Sequence, residues 1–312
     1  MRRILVAALA LSLVLAGCTS KGGGGKGGGE GGKRPATVDG IATGAGTHKE
    51  KIDVGTPGHR EYLLHIPAKV ANGKWKDGKP ADKPALVLAL HGGLANMNKM
   101  ESLTGFDKIS DDKGFVVAYP DGFMTTWNAG SCCGAAKLGH IDDVGFLGKL
   151  IGKLTGAGLA DPDRVFVTGF SNGAGMAYKL ACEKADKVAA IGVVEGSLVT
   201  TCDPDRPVSA MIFHGTADRN VPFNGGGNRD FNDKRPFPPV SQAVDFWRKV
   251  GKLPKPHEGV KALGGNTDCQ ATGKGAQGVE VTFCKVEGGT HEWPSEAAEM
   301  LWRFFDAHPR KG

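Results

Sequence analysis

The chain has 312 residues, of which 40% are hydrophobic and 23% charged, a balance that excludes disorder of the whole and allows one large core or two small ones. Glycine reaches 49 residues, but 9 of them fall between positions 22 and 32 and no Gly-X-Y period follows, so a collagen-like protein is excluded. Lys and Arg outnumber Asp and Glu by 39 to 33. Loss of Arg2 and Arg3 with a leader reduces this to 37 against 33, and with no basic run beyond Lys33-Arg34 the balance argues against a nucleic-acid partner.

In chain order the first element is a leader. Two arginines precede a thirteen-residue apolar run from Ile4 to Ala16, then Gly17 and Cys18. The run is shorter than the roughly 20 residues of a spanning helix and reads as a secretory signal over residues 1–17. Leu15-Ala16-Gly17-Cys18 looks like a bacterial lipobox, which makes Cys18 the expected lipidation site and the membrane an expected partner through the N-terminal lipid. Thr19 in place of Asp resembles lipoproteins sorted to an outer membrane or cell surface, with the periplasmic side as the alternative. The stretch KGGGGKGGGEGGKRP at 21–35 has no apolar side chain to bury, so residues 18–36 read as a flexible tether spanning about 20–25 Å.

Beyond the tether, residues 37–312 read as one catalytic domain in which strands alternate with helices. Strands are expected at REYLLHIP (60–67), ALVLALHG (85–92) and FVVAYP (115–120), followed by a helix over 142–154 with apolar residues at helical spacing. Next come a strand within DPDRVFVTG, a helix over 171–185, strands at 188–194 and 208–215, a helix over 242–251, a strand at 279–286 and an amphipathic helix over 295–308. Strands separated by helices of ten or more residues imply parallel pairing with right-handed crossovers, hence an α/β class with a mostly parallel sheet and helices on both faces. Asp142 and Asp143 read as an acidic helix N-terminus rather than catalytic groups.

Apart from Cys18 the chain carries six cysteines, Cys132, Cys133, Cys182, Cys202, Cys269 and Cys284. An even count in an exported chain points to three disulfides. Cys269 and Cys284 flank a polar Gly-rich stretch leading into a strand, and a bridge there closes a local hairpin. Elimination then pairs Cys132 and Cys133 with Cys182 and Cys202, in either order. No clustered Cys/His spacing marks a metal site.

Four places carry chemistry. GFSNGAG (169–175) lies between a strand and a helix and satisfies Gly-x-Ser-x-Gly, a sharp turn that presents the Ser171 hydroxyl above a sheet. A serine hydroxyl needs a histidine to take its proton and an acid to hold that histidine in the right tautomer. In the chain order Ser, acid, His, Asp218 follows the strand VSAMIFHG and His291 lies in a glycine-bounded loop before the last helix; Asp203 and Asp205 are substitutes for the acid. His214, at a strand end, reads as a satisfied core histidine. LHGGLANM (90–97) follows another strand and supplies an oxyanion donor, Gly93 or alternatively Leu94, beside that of Asn172. Trp127 and Trp293 are expected, with Leu94, to wall the substrate pocket.

LHGGLANM, WNAGSCCG (127–134), IDDVGFL (141–147), DPDRVFVTGFSNGAGMAYKLAC (161–182), HGTADRNVPF (214–223) and GGTHEWP (288–294) occur in this order. Together they resemble the secreted polyhydroxybutyrate depolymerase and feruloyl esterase family of α/β-hydrolases, which includes LpqC-like esterase lipoproteins. The resemblance spans about residues 47–307. It implies carboxylic-ester hydrolysis through Ser171, Asp218 and His291 with oxyanion donors at Gly93 and Asn172, an ester substrate from a polysaccharide or polyester, no metal or organic cofactor, and a monomer. The chain departs from the family pattern in a shorter glycine run at 92–93 and in carrying no appended polymer-binding domain. A prolyl-oligopeptidase-type peptidase and a non-catalytic hydrolase-fold lipoprotein are the alternative readings.

Overall fold

Runs of Val, Leu, Ile and Ala that are apolar on both sides can only form strands buried on both faces, and the computed structural model, which describes residues 32–55, 58–260 and 266–310, assembles them so. The leader, Cys18 and most of the tether lie outside the described residues. Among the described residues ten strands make one sheet: β1 (Gly46–Asp53), β2 (His59–Ile66), β3 (Leu86–Leu90), β4 (Val116–Pro120), β5 (Val165–Phe170), β6 (Ala190–Val194), β7 (Ser209–Gly215), β8 (His257–Val260), β9 (Thr267–Ala271) and β10 (Val281–Val286). Their spatial order is β8-β9-β10-β7-β6-β5-β3-β4-β2-β1.

The six central strands, from β10 through β4, are mutually parallel. The flanking pairs are antiparallel, which corrects two expectations. Segment 60–67 joins the sheet against its direction, and it is preceded by β1, a strand with no counterpart in the sequence reading. Its exposed positions alternate with half-buried ones, so its apolar signal is thin. The short connection from β1 to β2 leaves no room for a crossover helix and enforces a hairpin.

Helices cover both faces. On one side α3 (Asp143–Gly156), α4 (Asn172–Glu183) and α5 (Val240–Val250) pack Leu150, Met176 and Trp247 around Leu86, Leu88 and Leu90. On the other α1 (Met97–Thr104), α2 (Phe106–Lys113) and α6 (Ala297–Ala307) pack Met100, Phe106 and Phe305 around Val87, Ala89 and Phe166. The period of two along β3 thus sends alternate side chains into two cores. Asp142 caps α3, accepting the Gly145 N–H at 2.7 Å, as its position suggested. Asp143 differs from that simple reading. It is buried and paired with Arg60 from β2 at 2.9 Å, and it accepts the Asn128 N–H at 2.8 Å.

The disulfides also depart from expectation. Cys269 and Cys284, directly opposite one another on β9 and β10, are bridged as the hairpin reading required. Cys132 and Cys133, however, are joined to each other, and Cys182 is joined to Cys202. The reason lies in α4. Asn172, at its start, is tied to Trp127 in the loop that carries Cys132 and Cys133, whereas Cys182 lies ten residues on, about 15 Å along the axis. The neighbouring cysteines are further held there by Ala129 N–H to Cys132 O and Cys133 N–H to Trp127 O.

Candidate active site

The turn after β5 is flanked by two glycines, Gly169 and Gly173, that no other residue could replace. A Cβ on Gly169 would run into the Gly173 carbonyl, and one on Gly173 into the carbonyl oxygens of Leu90 and His91. Close approach of α4 to β3 and β5 therefore depends on both. Between them Ser171 is held at φ 53° and ψ −117°, an unfavourable backbone for a residue with a Cβ. Its N–H is anchored to Val194 O at 2.9 Å, and its side chain stands at the carboxyl end of the sheet.

Two further loops at that end converge on it. His291 Nε2 lies 2.8 Å from Ser171 Oγ, and its Nδ1 lies 2.8 Å from Asp218 Oδ2. Nδ1–H donation to Asp218 leaves Nε2 free to accept the serine proton. Asp218 is buried, and its Oδ1 accepts the N–H groups of Asn220 at 2.7 Å and Val221 at 2.9 Å. Burial pushes its carboxyl up, but the hydrogen bonds from His214, His291 and the local backbone outweigh that, so it is held well below the usual carboxylate range. Asp203 and Asp205 are exposed loop residues without a bond to His291.

The loop proposed to supply an oxyanion donor follows β3. The Gly93 N–H and the Asn172 N–H have no protein acceptor among the described residues, and Gly93 lies against the Asn172 side chain. Leu94 is withdrawn as a donor because its N–H is spent on Thr125 O at 2.9 Å; its side chain, 91% exposed, forms a lip of the cleft. His91, absent from the sequence reading, holds this loop. It is buried, its Nδ1 meets Gly92 O at 2.7 Å, and its Nε2 accepts the Gly122 N–H at 2.8 Å. Its position immediately before Gly92-Gly93 was the available signal.

Ser171 and His291 open onto a cleft of about 700 Å³ whose lining includes Leu94, Leu103, Phe170, Val221, Phe237 and Trp293. A mostly apolar pocket of this size is typical of a small-ligand site. Trp293 lies in the lining of the cleft. Trp127 does not: it is fully buried and lies outside the cleft. Its indole Nε1–H donates to His91 O at 2.9 Å, and its backbone N–H and C=O engage the Asn172 side-chain amide at 2.7 and 3.0 Å. Trp127 therefore braces the loop that begins at His91 against α4 instead of facing the cleft.

His214 also departs from the satisfied core histidine. Its Nε2 lies 2.8 Å from Val221 O and 3.4 Å from both Asp218 Oδ2 and Glu195 Oε2, while Nδ1 has no partner among the described residues. Glu195, His214 and Asp218 are the group among the described residues whose donor atoms lie close enough to hold a metal, within 4.8 Å of one another. Asp218 is already committed to His291 and His214 Nε2 to a carbonyl, so this donor set does not fit an ion.

Residues 75–224 match the family described as esterase PHB depolymerase. The chain is 31% identical over 248 residues to feruloyl esterase B of Piromyces equi, covering 74% of this chain and 44% of that one, so it spans less than half the length of this relative. It is 29% identical over 261 residues to feruloyl esterase C of Emericella nidulans, covering 80% and 84%. Among solved structures, an acetyl xylan esterase from Aspergillus awamori superposes with a TM-score of 0.59 at 17% identity, covering 83% of this chain and 99% of that one, a likeness of α/β-hydrolase fold.

Proposed function

This chain belongs to the esterase PHB depolymerase family, and from that premise we propose that it is an exported serine esterase that hydrolyses feruloyl- or acetyl-type esters of polysaccharides, or hydroxyalkanoate esters. The observation that carries the reading is the chain of two 2.8 Å contacts, Ser171 Oγ to His291 Nε2 and His291 Nδ1 to Asp218 Oδ2. In this mechanism the ester carbonyl enters above Ser171 with its oxygen toward the Gly93 and Asn172 N–H groups. Ser171 Oγ attacks as His291 takes its proton, and the negative tetrahedral oxygen is stabilised by the two donors. His291 then protonates the departing alcohol oxygen, leaving an acyl-serine. Water attacks that ester with His291 again as base, and the acid leaves as Ser171 recovers its proton. Asp218 keeps the imidazole oriented and stabilises its cationic form.

The apolar cleft with Trp293 and Phe237 in its lining favours an acyl group with a flat ring. The lipid on Cys18 and the tether over residues 18–36 place the enzyme at a membrane surface, with residues 37–312 as the catalytic domain, consistent with three disulfides of an oxidising compartment. Hydrolysis of p-nitrophenyl acetate and methyl ferulate by the wild type and by Ser171→Ala tests the reading. The expected result is turnover that falls by at least about a thousandfold in the variant. Equal turnover by the two proteins would remove Ser171 as the nucleophile and the esterase mechanism with it.

A further inference from the structure

Close to Asp218 lies a second buried carboxyl, that of Glu195. Glu195 follows β6, next to the end of β7 from which Asp218 extends, and it is 1% exposed at φ 52°, a backbone conformation costly for a side-chain-bearing residue. One of its oxygens, Oε1, accepts the Gly215 N–H at 2.8 Å. The other, Oε2, is buried without a hydrogen-bond partner among the described residues, 3.4 Å from His214 Nε2, and a Glu195 carboxyl oxygen lies within 4.8 Å of one of Asp218. Nothing in the mechanism above uses it.

We infer that Glu195 is a positioning residue that carries a proton on Oε2 and presents it to Asp218, fixing the carboxylate that orients His291. The inference rests on the triad reading and on a count of donors. Two buried carboxyls this close do not both ionise, and the charge settles where donors are most numerous. Asp218 receives two backbone N–H groups and the His291 Nδ1–H, with His214 Nε2 alongside; Glu195 receives one backbone N–H. The proton therefore stays on Glu195. Burial first, then the neighbouring Asp218, push its carboxyl up to about 10, in the same direction. The titratable groups facing the pair are His214 on β7 and His291 on the loop before α6, and no lysine or arginine forms an ion pair with either carboxyl among the described residues. His214 is held by its Nε2–H, which points to Val221 O at 2.8 Å.

Two variants of the full chain distinguish this from a packing role, with kcat and KM for p-nitrophenyl acetate measured across pH. Glu195→Gln is isosteric and neutral: its carbonyl accepts from Gly215 and its amide donates to Asp218. It should retain kcat within about threefold, with the acid limb of the pH profile in place. Glu195→Ala withdraws the donor from Asp218, localises more negative charge beside His291 and favours the imidazolium. Its kcat should fall by about ten- to a hundredfold with KM little changed, and its acid limb should move to higher pH. The downfield proton resonance of the His291–Asp218 bond should shift in Glu195→Ala and stay in Glu195→Gln. An acid limb displaced to lower pH in Glu195→Gln would mean that Glu195 is charged, and an unaltered kcat in Glu195→Ala would mean that it positions nothing; either overturns the inference. If Glu195→Ala fails to fold, Glu195→Gln alone decides between the proton-bearing and charged forms. Ser171→Ala is the separate control: retained activity there rejects the triad reading itself.

Discussion

Single residues divide between those that meet substrate and those that hold the first group still. Trp127 and Trp293 illustrate the division, since both are tryptophans near the nucleophile but only Trp293 lines the cleft. Trp293→Ala should change the ratio of methyl ferulate to p-nitrophenyl acetate turnover. Trp127→Phe should leave that ratio alone and lower stability by about 1–3 kcal/mol, because the buried His91 carbonyl loses its indole donor; urea denaturation and the two-substrate assay check both. Glu195 adds a pH signature. Its folded-state carboxyl is raised to about 10 chiefly by burial, while in the unfolded chain it ionises near its ordinary value. A raised group contributes stability that is fully present below the unfolded value and is lost as pH rises toward the folded one. The melting temperature of the wild type relative to Glu195→Gln should accordingly fall from about pH 5 to about pH 8. A constant difference across that range would exclude a protonated Glu195.

Elements are joined near the site by a few buried polar links. Arg60 on β2 binds Asp143 at 2.9 Å and Asp121 O at 2.8 Å, with its guanidinium 4.2 Å from the Phe146 ring centroid on α3. Asp143 also holds the Asn128 N–H, so the pair ties the antiparallel edge, α3 and the Trp127 loop together. Burial raises the Asp143 carboxyl while Arg60 opposes that rise, and loss of the cation leaves a buried acid unpaired. Arg60→Leu should cost about 3–5 kcal/mol, read from the urea midpoint; a loss below about 1 kcal/mol would show that the pair contributes little to fixing these elements. At the other edge the Cys269–Cys284 bridge clasps β9 to β10, the strand that leads into the His291 loop. Replacing both cysteines by serine should lower stability by about 3 kcal/mol, the entropy of a fifteen-residue loop.

At the scale of the whole molecule the proposed catalytic groups come from loops at one end of a single sheet. Ser171 follows β5, Gly93 follows β3 and His291 lies beyond β10, so strands that are distant in sequence deliver them to one cleft, and Asp218, after β7, stands behind His291. On the proposed organisation the first 35 residues carry anchorage and none of the chemistry. A form beginning at residue 36 should therefore retain kcat and KM on soluble esters and lose association with membranes. A folded truncated form without turnover would contradict that division of labour.

Much of this was readable along the chain, for local reasons. The elbow GFSNGAG, the Asp and His that follow later strands, and the apolar periods of α3, α4 and α6 are each set by steric or periodic rules acting over a few residues. The hairpin bridge between Cys269 and Cys284 was legible too, because its partners face each other across one turn. What stayed hidden depends on residues far apart in sequence. The direction of β2, the pairing of Cys132 with Cys133, the inward turn of Trp127 and the loop-holding role of His91 follow from how α4 and the 127–134 loop pack beneath β3. The place of Glu195 close to Asp218 follows from the adjacency of β6 and β7. A sequence carries the type of each side chain and its local period, whereas the environment that fixes a buried proton or aims an indole exists only after distant strands have been brought side by side.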